Sequence, residues 1–390
     1  DGILQRFHKI IVNKICNFLI NMIEDENVNY LNDLALKSDK GDDPVINVAL
    51  FGVGRAGTIH LASIQGNPRV KLLYIVDENE SKFAQMKKYW RLDGVTIITS
   101  KQADKVFKDP NVHAVVVASP TFAHEDIVTK ALDARKAVFC EKPIAENPTN
   151  TLKCYDAAAK VGKVLFSAFN RRFDPSYSAV RDRVRKGEVG HVHTMRVTAR
   201  DSPLPTIEYL AHSGGIFHDC MVHDIDMMTW ILGEYPIKVT ANATANIPEI
   251  KAIDDFDTVV ATLQFPSGTL GMIDLSRNSS YGYDQRLEVF GPKGMIRADN
   301  EQPIHCVETM YDMNGPNTAP IWYSFPSRFM RAYRAEFEHF LDVTLGKCDS
   351  MVKPKETMAV TKIASAIEAA VRTSKVVEIK WANGELPPQQ

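Results

Sequence analysis

The sequence predicts an α/β domain with a doubly wound parallel sheet, followed by an α+β domain with a large, mostly antiparallel open sheet. Two observations indicate the first domain: the apolar run 46–51 leads directly into a glycine-rich turn, and further apolar runs follow at intervals that suit crossover helices. The second domain is indicated by Pro-x-Gly turns, which separate strand-like runs after residue 237. A chain of 390 residues is long enough for both. We expect an N-terminal helical extension over 1–44, the parallel-sheet domain over 45–168, the second domain over 169–350 and a returning C-terminal segment over 351–390.

Charge and cysteine usage argue against several classes of partner. The chain has 46 Lys and Arg against 48 Asp and Glu, so its net charge of −2 provides no basic excess for binding phosphates. No apolar run approaches the roughly 20 residues needed to cross a bilayer. The six cysteines lie far apart in sequence and predict neither disulfides nor a zinc cluster. We therefore expect a soluble, cytoplasmic protein with no nucleic-acid and no membrane partner.

An amphipathic helix is predicted near the start of the chain. Apolar residues recur there at steps of three or four, at Leu4, Phe7, Ile11, Ile15, Phe18 and Met22. Basic residues on its polar side leave a transit-peptide or membrane-surface interpretation open, but a helix that docks on a domain or a partner fits better. The charged stretch from Lys37 to Pro44 is the predicted linker.

The turn Gly52-Val53-Gly54-Arg55-Ala56-Gly57 is typical of a dinucleotide site. Its first glycine permits a tight turn, the second lets the backbone approach a pyrophosphate, and the third lets the next helix pack on the strand. A second apolar run, 70–76, ends at Asp77, which lies 20 residues after Gly57. An acid there accepts hydrogen bonds from ribose hydroxyls and repels a 2′-phosphate, so we expect NAD rather than NADP.

Two further strand ends carry candidate residues, because ligands of open α/β sheets bind beyond the carboxyl ends of the strands. The runs 114–118, 137–140 and 164–168 are the next predicted strands. Ser119, Thr121 and His124 follow the first run and predict cofactor contacts, although a turn that caps the next helix explains them equally well. Glu141-Lys142-Pro143 follows the second run. We expect Glu141 on the cofactor side and the Lys142 ammonium at the mouth of the cleft, and the proline favours a cis peptide bond.

The run from Gly214 to Asp226 is the densest cluster of titratable groups in the chain. At about 100° per residue, Asp219, His223 and Asp226 share one helical stripe, and Met221, Ile225, Met228 and Leu232 share the opposite one. The apolar stripe anchors the helix, and the polar stripe presents an imidazole one turn from a carboxylate, which suits a general base. A solvated polar face is one alternative. A metal site that includes His218 is another, but His218 and His223 point to different sides, and we predict no metal.

The remaining chain predicts the second sheet. The runs 238–242, 258–265, 269–276 and 286–290 have strand character, and the turns at Phe265–Gly268 and Gly291–Gly294 predict that neighbouring runs pair antiparallel. One face of this sheet covers the polar-stripe helix, and the other face needs a cover that an oligomer partner supplies. An alanine-rich helix over 359–371 and a final strand over 376–381 complete the chain.

Together, these motifs resemble the Gfo/Idh/MocA family of NAD(P)-dependent sugar and cyclitol oxidoreductases, and within it the inositol 2-dehydrogenase branch. The resemblance covers about residues 45–380 and rests on the glycine turn, on Glu141-Lys142-Pro143 and on the runs 170–174, 200–203 and 214–226. It implies a Rossmann domain, then an α/β domain whose open sheet builds tetramers or dimers, and a C-terminal helix that returns towards the first domain. Lys142, Asp219 and His223 correspond to the family's catalytic set.

The resemblance also implies substrate contacts. Arg171 aligns with a substrate-contacting arginine and Tyr333 with a substrate-side tyrosine, while Arg200 stands where some relatives have a substrate-binding histidine. Asn170 and Asp201 are further hydrogen-bonding groups for a polyol. The implied reaction is oxidation of a secondary hydroxyl of myo- or scyllo-inositol, with His223 as base, Lys142 stabilising the alkoxide and Asp219 orienting the imidazole. The alternatives are a pyranose or amino-cyclitol dehydrogenase, a non-catalytic NAD-binding regulator and, more remotely, a metal-dependent hydrolase.

Overall fold

The computed structural model describes residues 43–304, 310–313, 315–317, 319–382 and 385. The predicted N-terminal helix and most of the predicted linker lie outside these residues. A small first unit has residues 43–46 and 67–71 in the described part, where the Arg69 guanidinium donates to the Asp43 carboxylate over 3.0 Å. Every side chain discussed below belongs to the larger unit.

A six-stranded parallel sheet forms the N-terminal part of the fold. Its strands are β1 (Ile46–Phe51), β2 (Val70–Val76), β3 (Thr96–Ile98), β4 (Ala114–Val117), β5 (Ala137–Glu141) and β6 (Leu165–Ala168). Its helices are α1 (Arg55–Gln65), α2 (Phe83–Tyr89), α3 (Asp104–Lys108), α4 (His124–Asp133) and α5 (Pro148–Val161). The strand order β3-β2-β1-β4-β5-β6 is that of a doubly wound dinucleotide fold. All four residues of β4 are completely buried, as a strand covered by helices on both faces requires.

This sheet confirms the predicted doubly wound domain. The predicted runs 46–51 and 70–76 match β1 and β2, and the other three match β4, β5 and β6 to within one residue at either end. The strand β3 was not predicted from the sequence, because a three-residue strand is too short to establish a period.

A seven-stranded sheet forms the second part, in the order β12-β11-β7-β10-β9-β8-β15. Its strands are β7 (Thr194–Arg200), β8 (Lys238–Thr244), β9 (Thr258–Gln264), β10 (Leu270–Ser276), β11 (Asp284–Gly291), β12 (Gly294–Ala298) and β15 (Val377–Glu378). A separate hairpin consists of β13 (Met310–Asp312) and β14 (Gly315–Asn317). Within the described seven-stranded sheet, β7 and β10 pair in parallel and the other neighbouring strands pair antiparallel. The prediction of a mostly antiparallel sheet is therefore confirmed.

One strand pairing differs from the predicted order. The turn at Phe265–Gly268 joins β9 to β10 and the turn at Gly291–Gly294 joins β11 to β12, both antiparallel as predicted. However, β10 and β11 do not pair, because β7 lies between them. In the register, Val197 of β7 stands between Ile273 and Leu287, and all three side chains are buried on the covered face of the sheet. The earlier strand β7 is therefore an interior strand whose buried side chains contribute to the covered face of the sheet.

Seven helices of the described chain accompany this sheet: α6 (Pro175–Arg185), α7 (Ile207–Leu210), α8 (Val222–Leu232), α9 (Pro248–Ala252), α10 (Phe325–Arg328), α11 (Met330–Thr344) and α12 (Pro354–Thr373). A π-helical turn, Phe217–Met221, runs directly into α8. The predicted helix 359–371 is the central part of α12, and the predicted strand 376–381 is reduced to the two residues of β15.

The C-terminal helices pack on the first sheet. On α11, Phe340 contacts Phe139 of β5, with ring centroids 5.5 Å apart. On α12, Thr357 accepts a hydrogen bond of 3.1 Å from the Tyr155 hydroxyl of α5. In the part of the chain that the structure describes, no helix has the length and apolar character needed to cross a bilayer.

Candidate active site

The glycine turn between β1 and α1 is shaped by close backbone contacts. Gly52 has φ of +85°, and a Cβ at this position would lie 2.6 Å from the carbonyl oxygen of Ala118. A Cβ at Gly57 would lie 2.0 Å from the carbonyl oxygen of Gly52, so only glycine fits at either position. Gly54, by contrast, has open space where a Cβ would be, directly at the start of α1. This arrangement leaves a helix N-terminus accessible to a phosphate.

Asp77 follows β2 and braces the same turn. Its Oδ2 accepts a hydrogen bond from the Val53 N–H over 2.8 Å, and its Oδ1 accepts from the Asn79 N–H over 2.9 Å. Each carboxylate oxygen has two lone pairs, so both oxygens retain capacity for hydroxyl donors. The structure therefore brings the predicted ribose-binding acid against the predicted pyrophosphate turn.

Two of the predicted cofactor residues connect the strand ends. The ring nitrogens of His124 lie 2.8 Å from the Ser119 carbonyl and 2.7 Å from the Pro143 carbonyl, and burial lowers the pKa of His124. His124 thus joins the loops after β4 and β5. Glu141 lies 2.7 Å from Nε2 of the buried His60 on α1, which ties the end of β5 to the helix behind the glycine turn.

Lys142 reaches from the end of β5 to the π-helical turn. Its Nζ donates to the Asp219 backbone carbonyl over 2.5 Å and to Asp219 Oδ1 over 3.1 Å, and the Lys142–Pro143 bond is cis. The two predicted catalytic segments, separated by 77 residues in sequence, therefore meet at one carboxylate.

Asp219 is held by three side-chain donors. The Tyr209 hydroxyl of α7 donates to Oδ1 over 3.0 Å, and Nη1 of Arg277 donates to Oδ2 over 2.9 Å, in addition to the Lys142 contact. Burial alone would raise the pKa of Asp219, but the charges of Lys142 and Arg277 outweigh it and lower that pKa to about 2. Asp219 is consequently an anion at any physiological pH.

His223 lies one turn further along, at the start of α8. Its Nδ1 is buried without a hydrogen-bond partner, and its ring meets that of Phe169 edge-on at 6.2 Å. Burial and the nearby charges of Lys142 and Arg171 lower the pKa of His223 well below its ordinary value. The imidazole is therefore neutral at pH 7 and able to accept a proton.

The polar stripe drawn from the sequence is changed by the π-helical turn. Asp219 and Asp226 are both buried, so the solvated-face interpretation is wrong. Asp226 does not join the other two residues, because both of its oxygens are bonded to Arg172. The residue spacing of a π turn differs from the 100° of an α-helix, which shifts Asp219 relative to α8. Among the described residues, no group of three or more His, Cys, Asp or Glu residues is arranged to hold a metal ion.

Predicted substrate residues lie beside this cluster. Arg171 is buried and its Nη1 donates to Asp224 Oδ1 over 2.5 Å. Asp201 accepts a hydrogen bond of 3.2 Å from the Cys220 thiol, and burial raises the pKa of Asp201. Asn170 precedes Arg171 in a 3₁₀ turn after β6 and is buried. Tyr333 of α11 meets His60 edge-on at 5.7 Å, on the Glu141 side.

The structure does not bring Arg200 into the cluster. Its Nη2 donates to Asp274 over 2.5 Å and its Nη1 to the Tyr281 hydroxyl over 3.2 Å. Its register partner Asp284 lines, with Tyr281 and Arg286, a polar cavity of about 470 Å³. Arg200 and Asp201 are consecutive residues at a strand end and diverge, so only Asp201 reaches the neighbourhood of Asp219.

Three residues of the site were not identified from the sequence: Tyr209, Asp224 and Arg277. Asp224 was within the titratable run, but only its buried contact with Arg171 distinguishes it from a surface acid. Tyr209 and Arg277 follow no motif, and tertiary structure alone brings them to Asp219. Tyr209 also connects the site with the glycine turn, because the Arg55 guanidinium lies over its ring at 5.8 Å and over that of Phe325 at 4.7 Å.

Comparison with known families matches both parts of the chain. Residues 46–169 match the family described as an oxidoreductase family with an NAD-binding Rossmann fold, and residues 177–297 match the GFO/IDH/MocA C-terminal domain. The myo-inositol 2-dehydrogenase of Thermotoga maritima is 37% identical over 76% of this chain and 87% of its own length. The inositol 2-dehydrogenase of Rhizobium meliloti is 32% identical over 86% of this chain and 99% of its own length.

Solved structures give the same result. A myo-inositol dehydrogenase from Corynebacterium glutamicum has a TM-score of 0.78 and 33% identity, with 87% of this chain and 100% of that chain covered. The scyllo-inositol dehydrogenase of Lactobacillus casei, with bound NAD(H) and scyllo-inositol, has a TM-score of 0.78 and 27% identity, with 86% and 99% covered.

Proposed function

The chain belongs to the Gfo/Idh/MocA family of oxidoreductases, and we propose that it oxidises a secondary hydroxyl of an inositol to the ketone with NAD as hydride acceptor. It is an NAD-dependent dehydrogenase acting on CH–OH groups, an assignment that relatives named myo- and scyllo-inositol 2-dehydrogenase support. The contact between Lys142 and Asp219 carries the more specific proposal, because it joins the strand end on the cofactor side to the turn that leads into His223.

The glycine turn fits NAD. When bound, NAD would accept the hydride from the alcohol carbon. The open side of Gly54 and the N-terminus of α1 suit its pyrophosphate, and the remaining lone pairs of Asp77 suit the ribose hydroxyls. The carboxylate of Asp77 disfavours a 2′-phosphate, which supports NAD over NADP.

His223 is our proposed general base. Its neutral imidazole can accept the hydroxyl proton, and this role is supported by the absence of a hydrogen-bond partner for its Nδ1 among the described residues. Lys142 then donates from its ammonium to the developing alkoxide, while Asp219 remains an anion that orients Lys142. Here Asp219 orients the lysine, whereas the sequence-based proposal had it orient the imidazole.

The charge balance of the site supports an uncharged substrate. Four carboxylates, Asp201, Asp219, Asp224 and Asp255, stand against three cations, Lys142, Arg171 and Arg277, so the cluster has no excess positive charge for an anionic substrate. A polyol ring adds hydroxyl donors and acceptors without disturbing this balance. Asn170, Arg171, Asp201 and Tyr333 are the proposed partners of those hydroxyls, and burial raises the pKa of Tyr333 so that its hydroxyl stays protonated.

The outer face of the seven-stranded sheet is the proposed contact between subunits of a tetramer or dimer. Apolar side chains exposed on this face and its edge include Val260, Leu270, Met272, Phe290 and Met295. Several apolar side chains exposed on one face of a sheet support a role in protein–protein contact. The cysteines 140, 154, 220 and 348 are free thiols, which supports the cytoplasm as the compartment.

A substrate panel tests the proposed function. We expect NADH absorbance to rise with myo- or scyllo-inositol and NAD, and to rise much less with NADP or with aldopyranoses. Turnover of pyranoses alone would make the protein a sugar dehydrogenase. Binding of NADH without turnover of any cyclitol or sugar would contradict the proposal and favour a non-catalytic regulator.

Replacing His223 tests the assigned base. We expect His223→Ala to lower kcat by about 10²- to 10⁴-fold, the usual contribution of a general base, while the Kd for NADH measured by fluorescence changes little. His218→Ala is the matched control, because His218 lies on the preceding turn and pairs with Glu368 at 3.4 Å. Near-normal turnover by His223→Ala would remove the imidazole from the mechanism.

The pH profile is a second test of His223. Because burial and neighbouring cations lower its pKa, the imidazole remains neutral in mildly acidic solution. The pH dependence of kcat/KM reports the pKa values of the free enzyme. We therefore expect kcat/KM to decrease with acidification only at pH values below 6.5. An acid limb above that value would contradict the neutral buried imidazole.

A further inference from the structure

We propose that Arg277 is a positioning residue of this dehydrogenase, which fixes the Asp219 carboxylate so that Lys142 can turn to the substrate oxygen. This inference rests on the proposed function. Arg277 is the first residue after β10, and no motif marks it in the sequence.

The two oxygens of Asp219 have different donors. Oδ1 accepts from Lys142 and Tyr209, and Oδ2 accepts from Nη1 of Arg277. Arg277 therefore holds the oxygen that faces away from Lys142. Its side chain is completely buried, so the guanidinium contacts protein groups and not solvent.

Arg277 also braces the backbone that carries Asp219. Its Nη2 lies 3.3 Å from Asp255 Oδ2, and Asp255 Oδ1 accepts a 3.0 Å hydrogen bond from the Ile216 N–H just before the π-helical turn. Gly215 has φ of +80°, and a Cβ there would lie 3.3 Å from Asp255 Oδ1. One guanidinium thus fixes both the carboxylate and the start of its turn.

The charge of Asp219 also requires a partner other than Lys142. Lys142 can donate fully to an alkoxide only if Asp219 is not left as a buried anion without compensation, because an isolated buried charge is costly. Arg277 provides that compensation at Oδ2, whereas Lys142 contacts Oδ1. The titratable groups that face Asp219 come from five elements: Lys142 after β5, Asp201 after β7, Tyr209 on α7, Cys220 in the π turn and Arg277 after β10.

The test compares Arg277→Lys and Arg277→Met with Arg172→Lys. Arg172 is also fully buried and is bonded to Asp226, a carboxylate of α8, the helix that follows the π turn, but no hydrogen bond joins it to Asp219. We expect Arg277→Lys to lower kcat by about 10- to 100-fold, since a misplacement of about 1 Å can cost ~10²-fold, with little change in the KM for NAD. We expect Arg172→Lys to change stability while leaving kcat and its pH profile as in the wild type.

A readout without substrate separates this inference from the proposed function. Infrared titration of the carboxyl band, assigned by its loss in Asp219→Asn, should show Asp219 becoming protonated at higher pH in Arg277→Met than in the wild type. If the wild type oxidises no cyclitol, the proposed function fails, but this titration still measures what Arg277 does to Asp219. If Arg277→Met does not fold, Arg277→Lys decides by the kcat and KM comparison. Arg277 variants that lose only stability, as Arg172→Lys does, would overturn the inference.

Discussion

The π turn and α8 carry a buried arginine–carboxylate cluster on each of two sides. We call the side that contains Lys142 and His223 the cleft side, and the side that contains Asp226 the core side. On the cleft side, Asp219 is bonded to Lys142, Tyr209 and Arg277, and His223 lies beside it with an unpaired nitrogen. On the core side, Arg172 donates to Asp226 and, over 2.6 Å, to Glu356 of α12. Both clusters pair an arginine with an aspartate. They differ because the cleft side also has a polar atom without a hydrogen-bond partner, Nδ1 of His223.

The consecutive residues Arg171 and Arg172 show the same division. The 3₁₀ turn after β6 directs Arg171 to Asp224 and Arg172 to Asp226, two positions apart on α8. Both oxygens of Asp226 are bonded, whereas Oδ2 of Asp224 has no partner. Burial raises the pKa of Asp224 to about 6 despite the Arg171 charge, so a group on the cleft side titrates close to neutrality.

The largest effect is expected from a substitution that breaks the core-side cluster. Arg172→Met leaves Asp226 as a buried, uncompensated carboxylate, so we expect the free energy of unfolding to fall by about 3–5 kcal/mol. Urea unfolding measures the loss, and kcat of the folded fraction should be unchanged. A strong loss of kcat at wild-type stability would mean that the core side takes part in the chemistry.

A smaller effect concerns the pH dependence of stability. The folded pKa of Asp224, about 6, exceeds the ordinary value of 3.8, so the folded state binds more protons between these pH values and stability falls as pH rises through them. At roughly 1.4 kcal/mol per pKa unit, the group accounts for up to about 3 kcal/mol. We expect Asp224→Asn to remove this slope, although Arg171 loses its charged partner and overall stability decreases.

Unfolding free energies measured between pH 4 and 7 check this prediction. Asp126→Asn is a suitable control, because Asp126 forms an exposed pair with Lys130 on α4 and should leave the slope as in the wild type. Equal slopes for Asp224→Asn and the wild type would show that Asp224 titrates normally.

The smallest effect is expected from the loss of one hydrogen bond on the cleft side. Tyr209→Phe removes one of the three side-chain donors to Asp219 but keeps the ring beneath Arg55. A partly exposed hydrogen bond contributes about 0.5–1.5 kcal/mol, so we expect kcat to fall by roughly 2- to 10-fold. Tyr89→Phe, on the exposed end of α2, should have no effect on turnover. A loss above 100-fold would instead make the Tyr209 hydroxyl a direct participant in the reaction.

The sequence was most informative where local patterns determine structure. The glycine turn, Asp77 and the end of β5 follow from strand periodicity and turn chemistry, which act over a few residues. The meeting of Lys142 with Asp219 followed from the rule for open α/β sheets together with a family resemblance.

The partners of Asp219 and the position of β7 did not follow from the sequence. Tyr209 and Arg277 are 10 and 58 residues from Asp219, and only the packing of α7 and β10 brings them together. The helical stripe was drawn with one residue period, and the π turn Phe217–Met221 interrupts that period. Likewise, β7 pairs with strands that come more than 60 residues later, which no local pattern encodes.

The π turn also has a consequence for how this fold can diversify. A turn with a wider period holds one more residue than a regular α-helical turn, so a single-residue deletion within Phe217–Met221 would regularise the helix. Everything before the deletion would then rotate by about 100° relative to α8. Asp219 would swing away from the strand end that meets it now, while the core side of α8 kept its packing. The gain or loss of a single residue here, rather than the exchange of a side chain, would thus change where Asp219 lies relative to Lys142.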